Sequence, residues 1–207
     1  MIRAITFDFW CTLFRDANGV ERKKMRSEAF AAATGAPAEN IARAFTNTEH
    51  AFYRSHIEDR KTLTPPDAVR MVCEELGAEV APNVAEKLAK VVATAILDYP
   101  PEPIEGALDA VKAAARFGPI GIISDTGITP GNSLRQILDR FGFAPYFDTM
   151  TFSDEVGVAK PQPKMFVATA RRMRVQPSET LHIGDLEMTD ILGAQHVGAQ
   201  AALFAGV

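Results

Sequence analysis

Five short apolar runs, separated by segments long enough for helices, restrict the folds open to this chain. The first, MIRAITFD at residues 1–8, is too continuously apolar for a half-exposed strand and too short for most helices. It suits a strand covered on both faces. Similar runs recur at 119–124, 147–152, 180–184 and 200–204, and helix-length segments fall between them at 104–116, 132–141, 163–173 and 188–196. This alternation implies right-handed crossovers and a parallel sheet with helices on both faces. The expected core is therefore a Rossmann-like, three-layer α/β/α fold.

Between residues 16 and 97 the texture is helical only. Ile41, Phe45 and Phe52 share one helical register, Val69, Val72, Cys73 and Leu76 a second, and Val84, Leu88, Val91 and Ala95 a third. Thr64 before Pro65 reads as an N-cap with proline at the first helical position, and Gly77 as a C-terminal stop. The segment predicts an α-helical bundle of about four helices inserted into the α/β core. The proline-rich YPPEP at 99–103 returns the chain to the core. The expected domains are a core made of residues 1–14 and 99–207 and a helical domain made of 15–98.

A formal charge of -4 gives no sign of the basic surface that nucleic-acid binding needs, and no nucleic-acid partner is expected. The one basic cluster, ERKKMR at 21–26, reads as a solvated helix face. No apolar stretch approaches a membrane span, the N-terminus lacks a secretory pattern, and two cysteines form no framework, so the expectation is a cytoplasmic protein with no membrane partner. Oligomeric state stays open, since apolar helical faces can pack internally or against a second copy.

Three apolar strands end in polar groups: ITF runs into Asp8, GII into Ser124 and Asp125, and LHIG into Asp185. In open parallel sheets the carboxyl ends of the strands line the ligand crevice, so these ends should meet there. Lys160, in EVGVAKPQP, follows a fourth strand at the same edge. Asp8, Asp185 and Asp190 then share one crevice with only Lys160 to balance them, and a divalent cation would settle the excess.

In these features the whole chain resembles the haloacid dehalogenase superfamily of hydrolases. Its four motifs occur in order as DFWCT at 8–12, strand-end Ser124, Lys160 before Pro161, and GDLEMTD at 184–190, with the helical insertion matching that superfamily's cap. The resemblance implies that Asp8 is a nucleophile forming a covalent aspartyl intermediate and that Thr12 steadies its loop. Ser124, with the loop at Asp125, would donate to a substrate oxygen, and Lys160 would neutralise substrate and nucleophile. It also implies Mg²⁺ on Asp8, Asp185 and the Trp10 carbonyl, with Asp190 acting directly or through a water.

Trp10 departs from the pattern, because the superfamily's phosphatases carry a second Asp there that protonates the leaving oxygen. Without it an alkyl phosphate should turn over slowly, and p-nitrophenyl phosphate far better, unless a cap residue supplies the proton. Glu49, His50 and His56 are candidates. An aromatic residue at this place is usual in the 2-haloacid dehalogenase branch, with a pattern like DAYGT, where halide leaves without a proton. That branch, however, resembles SxNxxD in the fourth motif, needs no metal, and carries a tyrosine where this chain has Phe166. Cys11, in place of a common glycine, and Asp125, in place of a common asparagine, are further departures; Cys11 reads as packing.

Three readings stay open. The first is a Mg²⁺-dependent phosphatase of small phosphorylated metabolites, with Trp10 in the substrate cavity. The second is a metal-independent dehalogenase gripping a 2-haloacid with Ser124 and a cap arginine such as Arg43. The third is a catalytically weak relative that binds a phosphorylated ligand or a protein.

Overall fold

The structure, a computed structural model, describes residues 1–206. The chain opens with β1 (Ala4–Phe7) and the short β2 (Phe14–Arg15). Four helices follow, α1 (Gly19–Thr34), α2 (Ala38–Arg54), α3 (Pro65–Leu76) and α4 (Pro82–Asp98), before β3 (Glu102–Pro103). Alternation then begins with α5 (Ala107–Phe117), β4 (Ile120–Ser124), α6 (Gly131–Arg140), β5 (Thr149–Phe152) and the single turn α7 (Ser153–Val156). It ends with α8 (Pro163–Arg172), β6 (Thr180–Gly184), α9 (Leu192–His196) and β7 (Gln200–Leu203).

The five long strands form one parallel sheet in the order β5-β4-β1-β6-β7. Its centre is β1, where Phe7 faces Ile122 of β4 on one side and Ile183 of β6 on the other. Connections leave β1 in both directions, so the ends of β1, β4 and β6 open onto one crevice. One face of the sheet packs Phe7, Phe9, Phe14, Ile122, Phe143 and Phe152. The other packs Ile123, Met165, Phe166 and Ala194, which completes the three expected layers.

The four helices enclose a second core built on Phe30, Ile41, Phe45, Val69, Val72, Leu88 and Val92. Three expectations need adjusting. The buried row of α4 runs through Leu88, Val92, Ala95 and Ile96, so Val92 and not Val91 carries the register. The chain leaves and re-enters the sheet through the antiparallel β2–β3 pair, where Arg15 and Glu102 form an ion pair at 2.7 Å; these strands are two residues long, below what a periodicity can reveal.

The third adjustment concerns the basic cluster. Arg22 and Arg26 are only 4% and 8% exposed, because i, i+4 spacing aligns them with buried Phe30 on one face of α1. Arg22 Nη1 donates to the Tyr99 carbonyl at 2.7 Å and Arg26 Nη2 to the Val92 carbonyl at 3.1 Å, while Arg22 also pairs with Asp16. Burial of the guanidinium, with Arg22 close by, pushes Arg26 down to about 10. Their stems act as apolar cover and their heads reach backbone oxygens of α4 and the segment after it. Local charge counting saw only the heads.

At the start of α3 the Asp67 carboxylate accepts from the Thr64 N–H at 2.8 Å and the Thr64 hydroxyl at 2.7 Å, and Gly77 closes the helix at φ 61°. Asp67→Ala should lower stability by about 1 kcal/mol in urea titration, the usual worth of an N-terminal cap. A loss below about 0.3 kcal/mol would show that the two prolines alone fix this helix start.

Candidate active site

The site grows from the end of β1. There the Asp8 N–H donates to the Ile183 carbonyl at 2.9 Å, fixing the first residue past the strand against β6. The next residues turn sharply: the Leu13 and Phe14 N–H groups both donate to the Phe9 carbonyl at 3.0 Å, and Cys11 N–H donates to Phe14 at 2.7 Å. Cys11 takes φ 53°, the left-handed conformation that favours glycine, and so tolerates the turn at some cost in strain. Among the described residues no backbone N–H reaches the Trp10 carbonyl, which leaves that oxygen open to a ligand.

Lys160 is 2% exposed and its Nζ lies 2.8 Å from Asp8 Oδ1 and 2.5 Å from Asp190 Oδ1. Asp190, with no exposure at all, also accepts from the Leu186 N–H at 3.0 Å and faces His182 Nε2 at 3.0 Å. The other ring nitrogen, Nδ1, meets the Thr6 hydroxyl at 2.9 Å. With Asp190 ionised, Nε2 carries the proton and Nδ1 accepts from Thr6, an assignment that satisfies all three groups. The row Thr6, His182, Asp190, Lys160, Asp8 thus crosses the sheet from β1 to β6 and back.

Burial and charge then sort the carboxyls. Burial dominates at Asp8, and although Lys160 works against it, Asp190 and Asp125 add to it and its carboxyl is pushed up to about 7. Asp190, equally sheltered, is held below the usual carboxylate range by the Lys160 charge and the His182 hydrogen bond. Burial followed by Asp190 raises Asp185. Burial alone would depress Lys160, yet Asp190, Asp8 and Asp125 hold its ammonium above the ordinary lysine range. Burial depresses His182, in keeping with a neutral ring.

A cavity of about 430 Å³ opens between the sheet edge and the helices; Asp8, Trp10, Asp125, Lys160 and Asp185 are in its wall. Five of the expected site residues therefore meet. Ser124 and Asp190 lie behind that wall, fully buried; the Ser124 hydroxyl points to the Asp125 carbonyl at a long 3.3 Å. Thr12 is buried too, but its hydroxyl has no hydrogen-bond partner among the described residues and does not brace the loop as expected. Of the helical candidates, His56 lines this cavity. His50 sits on a separate exposed groove, and Glu49 pairs with Lys23 at 2.8 Å. Arg43 points elsewhere, toward Asn40 and Glu75.

Several contributors escaped the sequence. Thr126 N–H donates to Ser153 Oγ at 2.8 Å and its hydroxyl to Asp154 at 2.8 Å, and Asp154 also accepts from the Gly131 N–H, so α7 pins the loop after β4. His182 and Thr6 carry the row described above. A polar residue on the inward parity of the apolar run TLHIG was the one available signal for His182.

The donor set suits a hard divalent cation. Asp8, Asp185 and Asp190 each offer an oxygen within 4.8 Å of the others. Since Lys160, His182 and the Leu186 N–H already occupy Asp190, the ligands open to an ion are Asp8, Asp185 and the Trp10 carbonyl, with Asp190 behind them. Thr189, whose buried hydroxyl has no hydrogen-bond partner among the described residues, lines the same cavity. Gly184 lets this happen: a Cβ there would stand 2.3 Å from Asp190 Cγ.

A family model described as haloacid dehalogenase-like hydrolase matches residues 2–198. Among curated proteins, glyceraldehyde 3-phosphate phosphatase of Methanopyrus kandleri is 40% identical over 73 residues, which is 34% of this chain and 31% of that protein. The chain thus matches about a third of that relative's length. Among solved structures, a hydrolase of this kind from Bacillus subtilis bound to magnesium aligns with a TM-score of 0.68 at 18% identity, covering 98% of this chain and 86% of that one. A 2-haloacid dehalogenase from Pseudomonas syringae aligns at 0.70 and 20% identity, covering 99% and 86%. At such identities the two structures establish the fold. No helix among the described residues is long and apolar enough to cross a membrane.

Two measurements follow from the site. Without divalent ions, native Asp8 keeps its proton up to about pH 7, whereas the unfolded chain releases it near ~3.9. Between those values the native state binds more protons, so Asp8 favours folding increasingly as pH drops through 7. Neutral, buried His182 works in the opposite direction, so the signature is a difference: from pH 8 to 5.5 in EDTA, wild type should gain stability relative to Asp8→Asn. A pH-independent gap would contradict the burial of that charge. Gly184→Ala should cost about 1–3 kcal/mol through overpacking against Asp190, read by urea unfolding.

Proposed function

The chain belongs to the haloacid dehalogenase-like hydrolases, and on that footing we propose that it is a Mg²⁺-dependent phosphatase of small phosphorylated metabolites, acting through a phosphoryl group carried on Asp8. The observation that carries the reading is the gathering of Asp8, Asp185 and Asp190, each with an oxygen within 4.8 Å of the others, around one ammonium, Lys160, which bonds Asp8 and Asp190. Three carboxylates against one cation suit a site completed by a divalent ion and an anionic substrate. In this reading residues 15–98 act as a cap over a core of 1–14 and 99–207, closing the cavity to water. The free thiols Cys11 and Cys73 accord with a cytoplasmic setting.

Asp8 attacks phosphorus once ionised, which its buried position disfavours until cationic charge is added. Mg²⁺ would supply that charge, held by Asp8, Asp185 and the Trp10 carbonyl with Asp190 behind. Lys160, locked by Asp190, keeps the attacking oxygen in place and balances charge as the phosphoryl group moves. Ser124, after rotation from its weak contact to the Asp125 carbonyl, would donate to a phosphoryl oxygen. The cavity volume suits a small ester, and Phe52, Tyr53, Leu63 and Trp10 give it a mostly apolar wall that excludes water.

A second reading, a metal-independent 2-haloacid dehalogenase, has Trp10 in its favour, since an aromatic residue stands in the cavity beside the nucleophile. Its carboxylate grip is missing: Arg43 is engaged on the outer helix surface, and Phe166 packs edge-on against His182 at 5.3 Å, off the cavity.

A panel of phosphate esters and 2-haloacids, each with Mg²⁺ and with EDTA, separates the two. The expected result is phosphate release that needs Mg²⁺ and falls to background in Asp8→Asn. Chloride release that survives EDTA would transfer the assignment to the dehalogenase. Independently of turnover, Mg²⁺ at about 100 times its Kd should stabilise the stripped protein by about 2.7 kcal/mol, and Asp185→Asn should abolish the rise in Tm.

A further inference from the structure

We propose that His56, beside Asp125, is the general acid and base of the phosphatase reaction, replacing the carboxylate that Trp10 displaces. The inference rests on the phosphatase reading above and names the residue that completes it.

The geometry begins with a break in regular structure. After α2 the chain continues through one π turn, Ser55–Asp59, and stops at Arg60 with φ 55°, a conformation unusual outside glycine. That turn aims His56 away from the helical core and into the cavity, where Asp8, Trp10 and Lys160 stand in the wall. The end of the turn is tied down, because the Arg60 carbonyl accepts from the Ala159 N–H at 3.2 Å and from Gln162 Nε2 at 2.8 Å, on either side of Lys160.

His56 Nε2 lies 3.0 Å from Asp125 Oδ2, with only 20% and 12% of the two side chains exposed; the contact has ion-pair distance but not hydrogen-bond alignment, and Oδ2 is buried with no hydrogen-bond partner among the described residues. Asp125 is itself fixed, since its Oδ1 accepts the Lys160 N–H at 2.9 Å. A carboxylate beside one imidazole nitrogen orients the ring and gives that nitrogen a partner within reach of a small rotation, leaving Nδ1 for the substrate. Two departures from the family pattern thus become one. An asparagine at 125 could hold the Lys160 backbone, but only an aspartate adds a charge for the imidazolium, and that charge is useful where residue 10 can move no proton.

The chemistry balances over two steps. Asp8 attacks phosphorus, the bond to the ester oxygen breaks, and that oxygen takes a proton from His56 Nδ1 to leave as the alcohol. Neutral His56 then takes a proton from water as its oxygen attacks phosphorus, the bond to Asp8 breaks, and inorganic phosphate departs with His56 protonated again.

The test compares p-nitrophenyl phosphate with phenyl phosphate, esters of like shape whose leaving groups differ in their need for a proton, using the full chain with Mg²⁺. Wild type should cleave both at similar rates. In His56→Gln, phenyl phosphate turnover should fall by about 10²- to 10⁴-fold. p-Nitrophenyl phosphate should still give a stoichiometric burst of p-nitrophenolate, followed by slow turnover as the phosphorylated Asp8 accumulates. Asp125→Asn, which keeps an acceptor for Lys160, should shift the ratio between the esters in the same direction by a smaller factor. The proposal is overturned if His56→Gln slows both esters alike without a burst, or leaves phenyl phosphate unchanged. It is also overturned if Asp125→Asn, shown folded by its melting curve, leaves the ratio at the wild-type value. Failure of wild type to cleave either ester would overturn the phosphatase reading itself, an outcome distinct from these.

Discussion

The Lys160 ammonium between Asp8 and Asp190 is the contact on which the rest of the site depends. It joins the end of the central strand to the loop after β5 and to the turn after β6, residues 152 and 30 positions apart in the chain. All three groups are buried, so removing Lys160 would strand the Asp190 charge in a dry interior, at a cost of about 3–5 kcal/mol. The close approach of Gly184 to Asp190 and the His182–Thr6 contacts behind it exist to keep that arrangement in register. Stability and chemistry are therefore linked here. The same burial that makes Asp8 reluctant to ionise leaves it responsive to an added cation.

Around this point the protein is assembled from two apolar cores. The sheet core and the helical core are bridged by the β2–β3 pair, by Ser133 Oγ donating to the Ala93 carbonyl at 2.8 Å, and by Arg60 on the Lys160 loop. The seam is apolar in part as well, since Ile96 of α4 is buried in the sheet core and Ile128, after β4, packs against the helical core. The cavity lies in that seam, so residues from both sides define it, and the irregular turn bearing His56 belongs to the helical side.

Much of this was legible from residues alone. The alternation of apolar runs and amphipathic segments identified the α/β core, and three consecutive helical registers identified the inserted bundle. Strand-end Asp8, Asp125 and Asp185 could be placed together because parallel strands deliver their carboxyl ends to one edge. Less legible were residues whose neighbours are distant in the chain. Arg22 and Arg26 read as surface charges, since nothing in ERKKMR reveals that α4 will cover their stems. Thr12 carries the right hydroxyl in the right motif, yet among the described residues it has no hydrogen-bond partner. His50 and His56, six positions apart, are equivalent as letters, and a single π turn separates their fates.

The sequence by itself determined which elements form and which chemistry-bearing side chains stand at their ends, because strand and helix periodicity and topology are properties of short segments and their order. Only the tertiary structure decided how those side chains are shared: Asp190 under Lys160 and His182, Asp125 between the Lys160 backbone and His56, Ser124 behind the wall. Such pairings follow from distances of a few ångströms between residues remote in the chain, and these are set by how whole surfaces pack, which no local pattern records.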